Sequence, residues 1–258
     1  MFSDLSSDDQ FDELGMHLDV PYVPTHESVV KAMLELAAVD ADDVLYDLGS
    51  GDGRIPVAAA VEYGASAIGV EIDSSRVALA QAYAEQMGVE HKVAFIQHDL
   101  FDVDFSPASV VTMYLLHTVN LELRPRLLAE LRPGTRIVSH AFDMGDWRAD
   151  RKIAFKSDAL YLWIVPARVH GSWRWQTADG TSYRMELQQR YQKLIGELWI
   201  NDQPAELEAA LLWGDLLELV IHQEQDYEPE SIVMHCQDDQ LVVVSENQKG
   251  AVARRVAG

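Results

Sequence analysis

The sequence predicts an α/β protein: an open, mostly parallel sheet that takes a ligand at its strand ends, followed by an antiparallel β appendage. Three observations predict it. An apolar run, Val44-Leu45-Tyr46, reaches Asp47 and passes through Leu48-Gly49-Ser50-Gly51-Asp52-Gly53 into an Ala- and Val-rich segment from Arg54. Acids close three successive runs of this kind, at Asp47, Glu71 and Asp99. Beyond about residue 178 the pattern changes to short alternating segments parted by turn pairs such as Asp179-Gly180 and Asn201-Asp202, the signature of hairpins.

The elements follow in order. Residues 1–19 are rich in Ser and Asp, and read as an acidic mobile tail with little apolar surface to bury. Val20-Pro21-Tyr22-Val23-Pro24-Thr25 is held extended by its prolines, and Thr25 is placed to cap a helix whose apolar face is Val29, Val30, Met33, Leu34 and Ala37. The run 44–48 is a buried strand, and the glycine turn leads into a helix over 55–63 that Gly64 ends. A strand at 67–70 brings Glu71 and Ile72 to its end, and Asp73 caps a helix over 74–86. Further strands fall at 93–96, 109–115, 135–140 and 160–165, with a helix over 121–131 and a seventh, antiparallel strand at 170–176. The remainder, 178–258, reads as a small β-rich region, a partial barrel in form, with Trp173, Trp175 and Trp199 as core.

Strand, tight turn and helix start together aim backbone N–H groups and the positive end of a helix at a ligand. Ligands of open parallel sheets lie at the carboxyl ends of the strands, and an acid about twenty residues past the turn accepts hydrogen bonds from ribose hydroxyls. Glu71 stands twenty residues after Gly51. The glycines read G-x-G-x-G rather than the G-x-G-x-x-G of dinucleotide enzymes.

Composition narrows the partners. The chain of 258 residues carries 42 acids against 20 Lys and Arg, a formal net charge of −22, with 48% hydrophobic residues. Such a surface repels phosphate backbones and attracts cationic partners. The single cysteine, Cys236, excludes an internal disulfide and a cysteine-based zinc cluster, and the histidines have no ligand spacing, so no metal is expected. The start has neither a cationic segment nor an apolar core of a signal peptide, and no apolar run reaches bilayer length. A cytoplasmic protein with no nucleic-acid and no membrane partner is the expectation.

The acid-x-G-x-G turn at Asp47-Leu48-Gly49-Ser50-Gly51 resembles the first motif of class I S-adenosylmethionine (SAM) methyltransferases. Pro21-Tyr22-Val23-Pro24 ahead of Asp47-Leu48-Gly49-Ser50-Gly51-Asp52-Gly53-Arg54 resembles, more narrowly, the mitochondrial-type protein-lysine methyltransferases that act on ATP synthase subunit c and the adenine nucleotide translocase. The resemblance covers roughly residues 20–150. It implies a Rossmann-like methyltransferase domain over 20–177, SAM as cofactor, and Tyr22, Val23 and Thr25 as a cover over it. It implies Asp47, Gly49, Ser50 and Gly51 as the cofactor turn, Asp99 at the adenine amino group with Leu100 beside the ring, and substrate contacts after the fourth strand, including Tyr114. The C-terminal β region is a departure from that family, and so is the absence of an apolar targeting segment.

Transfer to an amine needs alignment more than a strong base. Tyr114, His117 and Asp143 are the residues placed to orient a nucleophile. No N-P-P-Y or D-P-P-Y follows the fourth strand, where Met113-Tyr114-Leu115-Leu116 stands, and Cys236 is not in a Pro-Cys loop, so base methylation by those routes is not expected. The reading is therefore methyl transfer to an amine, a protein lysine on a basic protein or peptide. A small-molecule methyltransferase, a non-catalytic SAM-binding protein and, less favoured by the glycine spacing, a nicotinamide-dependent oxidoreductase stay open.

Overall fold

The computed structural model describes residues 23–156, 158–222, 229–237 and 239–256. The acidic segment 1–19 and Tyr22 lie outside the described residues. Two compact units form, one carrying the glycine turn and the other the C-terminal antiparallel strands.

The first holds most of a seven-stranded sheet. Helix α1 (Glu27–Leu36) precedes β1 (Val44–Leu48), and the glycine turn joins β1 to α2 (Arg54–Ala58), which widens into a π-helical turn over Ala59–Tyr63. There follow β2 (Ser66–Glu71), α3 (Ser74–Met87), β3 (Val93–Gln97), β4 (Val110–Met113), α4 (His117–Glu130), β5 (Arg136–His140), β6 (Arg151–Phe155) and β7 (Asp158–Ile164). The spatial order is β3-β2-β1-β4-β5-β7-β6. Strands β1, β2, β3 and β4 pair in parallel. The order reverses at β1, whose neighbours are β2 and β4, which is the switch point where open sheets leave a crevice for a ligand. Continuous apolar runs make these strands because both faces are covered: β4 is buried throughout. Met33, Leu34, Leu45, Val57, Ala59, Val110 and Val138 belong to one core cluster.

Two local expectations are corrected. His26, not Thr25, caps α1, its Nδ1 accepting the Ser28 N–H at 3.2 Å; Thr25 is instead buried, and its carbonyl accepts from Arg54 Nη1 at 2.6 Å. The strand antiparallel to β7 is β6, not residues 170–176. Its Arg151 and Lys152 are exposed, as edge strands favour, and hide the strand from a search for apolar runs.

The second unit is built on a closed antiparallel barrel: β8 (Gly171–Gln176), β9 (Ser182–Arg190), β10 (Lys193–Ile200), β11 (Gln203–Trp213), β12 (Leu216–His222), β13 (Glu230–Gln237), β14 (Gln240–Val243) and β15 (Val252–Arg255). Pairing of Arg254 with Arg174 and of Arg255 with Trp173 joins the last strand to the first. Asn201 and Asp202 both adopt positive φ between β10 and β11, as a two-residue hairpin turn demands. Alternation fills the interior with Trp173, Trp175, Met185, Leu217, Leu219, Ile232 and Met234, so the lumen is a packed core. Trp199 is half-buried under the Arg184 guanidinium, 3.5 Å from its ring. Among the described residues no helix is long and apolar enough to cross a membrane.

Candidate active site

The turn after β1 is shaped by what it must let through. Gly53 adopts φ +79°, and a Cβ there would stand 2.5 Å from the Phe95 ring and 2.8 Å from Ala80 Cβ. Gly69 on β2 allows an equally close approach, its absent Cβ lying 2.6 Å from Ser50 Oγ. Only bare backbone fits at either place.

Glu71, 6% exposed, braces this turn from the neighbouring strand. Its Oε2 accepts the Gly51 N–H at 2.9 Å and its Oε1 the Asp73 N–H at 3.0 Å. The Arg76 guanidinium stands 3.7 Å from Oε1. Asp47 is buried too, its Oδ1 accepting the Thr112 hydroxyl at 2.8 Å. Burial pushes its carboxyl up to about 7, against the Thr112 hydrogen bond and with help from the charges of Glu71 and Asp52. Asp99 accepts the Phe101 N–H at 2.9 Å just past β3. Arg54 pairs with Asp52 and, through Thr25 O, ties the 23–25 segment to the start of α2.

These residues meet. Val23, Thr25, Asp47, Gly49, Ser50, Gly51, Glu71, Ile72, Asp99, Leu100 and Tyr114 all line one cleft, which encloses about 980 Å³ counted to its open mouth. Tyr22 lies outside the described residues. Of the residues expected to orient a nucleophile, Tyr114 is in the cleft wall. His117 and Asp143 are brought to one another, 3.3 Å apart and about half exposed, and form no part of that wall. Sequence reasoning passed over Asp52, Arg54, Arg76 and His98, which also line the cleft. Arg54 carried a signal, as the first residue after the glycine turn. Thr112, the partner of Asp47, carried none, because only strand pairing sets it beside β1.

Tyr114 begins an aromatic corner. Its ring is 4.0 Å from that of His140, tilted by 37°, and 6.4 Å from that of Phe142. The loop holding Phe142 is pinned from α4: Asn120 Nδ2 donates to Ser139 Oγ and to Phe142 O, both at 3.2 Å, and Ser139 Oγ donates to Phe142 O at 2.7 Å.

Residues 47–151 match the family model described as the ANTKMT methyltransferase domain. The protein-lysine N-methyltransferase of Saccharolobus islandicus (strain REY15A) is 45% identical over 151 residues, 57% of this chain and 94% of that one. The chain belongs to this methyltransferase family. The adenine nucleotide translocase lysine N-methyltransferase of Mus musculus is 32% identical over 162 residues, 63% of this chain and 69% of that one. A crystal structure described as an RNA methyltransferase from Salinibacter ruber, in complex with S-adenosyl-L-homocysteine, is 52% identical with a TM-score of 0.56, over 57% of this chain and 96% of that one. The Saccharolobus and Salinibacter proteins are thus matched nearly end to end by little more than half of this chain.

SAM is the cofactor of this enzyme, and the cleft fits it. Ser50 Oγ is buried against the turn and has no hydrogen-bond partner among the described residues, which suits a polar ligand held there. The Asp47 carboxylate, strained toward its neutral form by burial, gains from a cationic ligand beside it. When bound, SAM supplies a methyl group on a sulfonium, already activated for in-line displacement.

Proposed function

We propose that this enzyme methylates a lysine side chain of a basic protein or peptide. The observation that carries the reading is the convergence of Asp47, Glu71 and Asp99 with the glycine turn on one cleft, in a chain of this family, with Tyr114 in its wall. Glu71 takes the ribose hydroxyls: a carboxylate has about four acceptor positions, and two N–H donors leave room for more. Asp99 and Leu100 take the adenine, the turn with Asp47 and Ser50 takes the amino-acid end, and Val23 and Thr25 cover the site. Ile72 packs beside the ribose. Tyr114, with His117 and Asp143 at the rim, orients the amine. The lysine must lose its proton before its Nζ attacks, and the alignment these residues impose is the larger part of catalysis.

Related enzymes named as lysine methyltransferases support the amine, and the net charge of −22 supports a cationic acceptor. The Salinibacter structure is described as an RNA methyltransferase. The acidic surface here disfavours a phosphate backbone, whose affinity for proteins rests on Lys and Arg. Labelled SAM incubated with basic lysine-containing proteins should leave label in protein bands, and blocking the lysines chemically should remove it. Label confined to low-molecular-weight material would refute the reading. Raising salt should slow the reaction at low acceptor concentration, since attraction over a Debye length of about 8–10 Å is what salt screens.

Glu71→Ala is expected to weaken SAM about 5- to 150-fold, the equivalent of about 1–3 kcal/mol for unpaired ribose hydroxyls and a slackened turn. Calorimetry checks it; wild-type affinity in a folded variant would remove Glu71 from the site.

A further inference from the structure

We propose that His140 is a positioning residue that sets the Tyr114 ring at the acceptor end of the cleft, and that it does so in its neutral form. The inference rests on the reading that the acceptor is an amine.

His140 ends β5 and is 4% exposed. Its Nδ1 has no hydrogen-bond partner among the described residues, and its Nε2 is 3.5 Å from Asp158 Oδ2, the outer edge of hydrogen-bonding distance. A buried imidazole so poorly served is costly, and an apolar ring would fill the same place at less cost, so its presence calls for a use. Its ring meets that of Tyr114, which is in the cleft wall, at a tilt of 37°, and the Phe142 ring lies 6.4 Å from that of Tyr114.

The charged groups around it are few. Asp158 at the start of β7 faces it; Tyr114 covers it from the exit of β4; Asp143, in the loop after β5, is engaged with His117. Burial holds the imidazole below its ordinary value against the pull of Asp158, so it is neutral near pH 7. Neutral, it keeps its contact with Tyr114 and adds no charge behind that ring. Protonated, it puts a cation directly behind the wall that an alkylammonium must approach, and draws its own ring toward Asp158. Acid therefore closes the acceptor site from within.

The test uses the full chain saturated with S-adenosylhomocysteine, whose ammonium favours the charged form of Asp47 throughout. The probe is n-butylammonium, the end of a lysine side chain, which stays charged throughout the pH range used. Binding is followed by the NMR signal of the Tyr114 ring. Wild type should bind the probe at least about fivefold more weakly at the acid end of its folded range, well below the ordinary imidazole value of 6.5, than at pH about 7.5, as expected when one buried group gains a proton. His140→Phe, which keeps an aromatic ring and cannot titrate, should lose most of that acid limb. His140→Gln serves if the phenylalanine variant folds poorly. His140→Ala should weaken the probe about 5- to 10-fold at both pH values, with S-adenosylhomocysteine affinity within about twofold of wild type. A full acid limb in both His140→Phe and His140→Gln would overturn the role of His140 while leaving the amine reading intact. A probe that moves no Tyr114 signal at any pH would overturn the amine reading and this inference with it.

Discussion

Asp47→Asn is expected to make the protein more stable above pH 7 and a poorer binder of SAM. The carboxyl has a folded value raised to about 7 from an ordinary 3.8. A group raised in this way stabilises the fold fully below 3.8, and that contribution is lost as pH rises through 7. The difference of about three units corresponds to ~4 kcal/mol at high pH. Asparagine keeps an oxygen for the Thr112 hydroxyl and removes the charge. Burying its NH₂ group takes back part of the gain, leaving about 1–3 kcal/mol. Thermal unfolding at pH about 8 should show the rise, and at pH about 4 the two proteins should differ little. SAM affinity should fall at least about tenfold, because the carboxylate facing a cationic ligand is gone. Wild-type affinity should also rise between pH about 6 and 8, and the variant's should be flat. A variant neither more stable at high pH nor weaker for SAM would mean that Asp47 is neither strained nor in the site.

Gly53→Val is expected to be the most damaging single change in the turn. It places a β-branched residue at φ +79° and its Cβ 2.5 Å from Phe95 and 2.8 Å from Ala80. Strain and overlap together cost roughly 2–5 kcal/mol. The melting temperature should drop by about 10 °C, at 2–4 °C per kcal/mol for a domain of this size. Any fraction still folded should have lost SAM binding, because the neighbouring backbone must shift. Unchanged melting would show that the turn is not packed as described.

The central strands were legible because parallel strands covered on both faces must be apolar along their length, as β1 and β4 are. The β6 edge strand was not, since Arg151 and Lys152 put charge where an apolar run would be sought. In the barrel, hairpin turns such as Asn201-Asp202 announce themselves locally, whereas closure depends on Arg254 finding Arg174 across the whole barrel, and no local pattern encodes that. The site divides in the same way. The glycine turn and the three acids sit at ends of local elements, so their spacing reveals them. The corner of Tyr114, His140, Phe142 and Asp158 is assembled from two strands, the exit of β4 and a loop, and single-residue patterns carry no trace of it. Thr25 missed its helix-capping place by one residue: it is buried, and His26, in extended backbone, takes the cap.

The measurement that bears most directly on the account is a competition in one tube. The enzyme is given SAM carrying a deuterated methyl group, lysine-containing basic proteins and RNA together, and the labelled atom is located by tandem mass spectrometry. The account predicts label on lysine Nζ, lost in a Glu71→Ala, Asp99→Ala double variant that still folds. Label on RNA, with none on lysine, would contradict it.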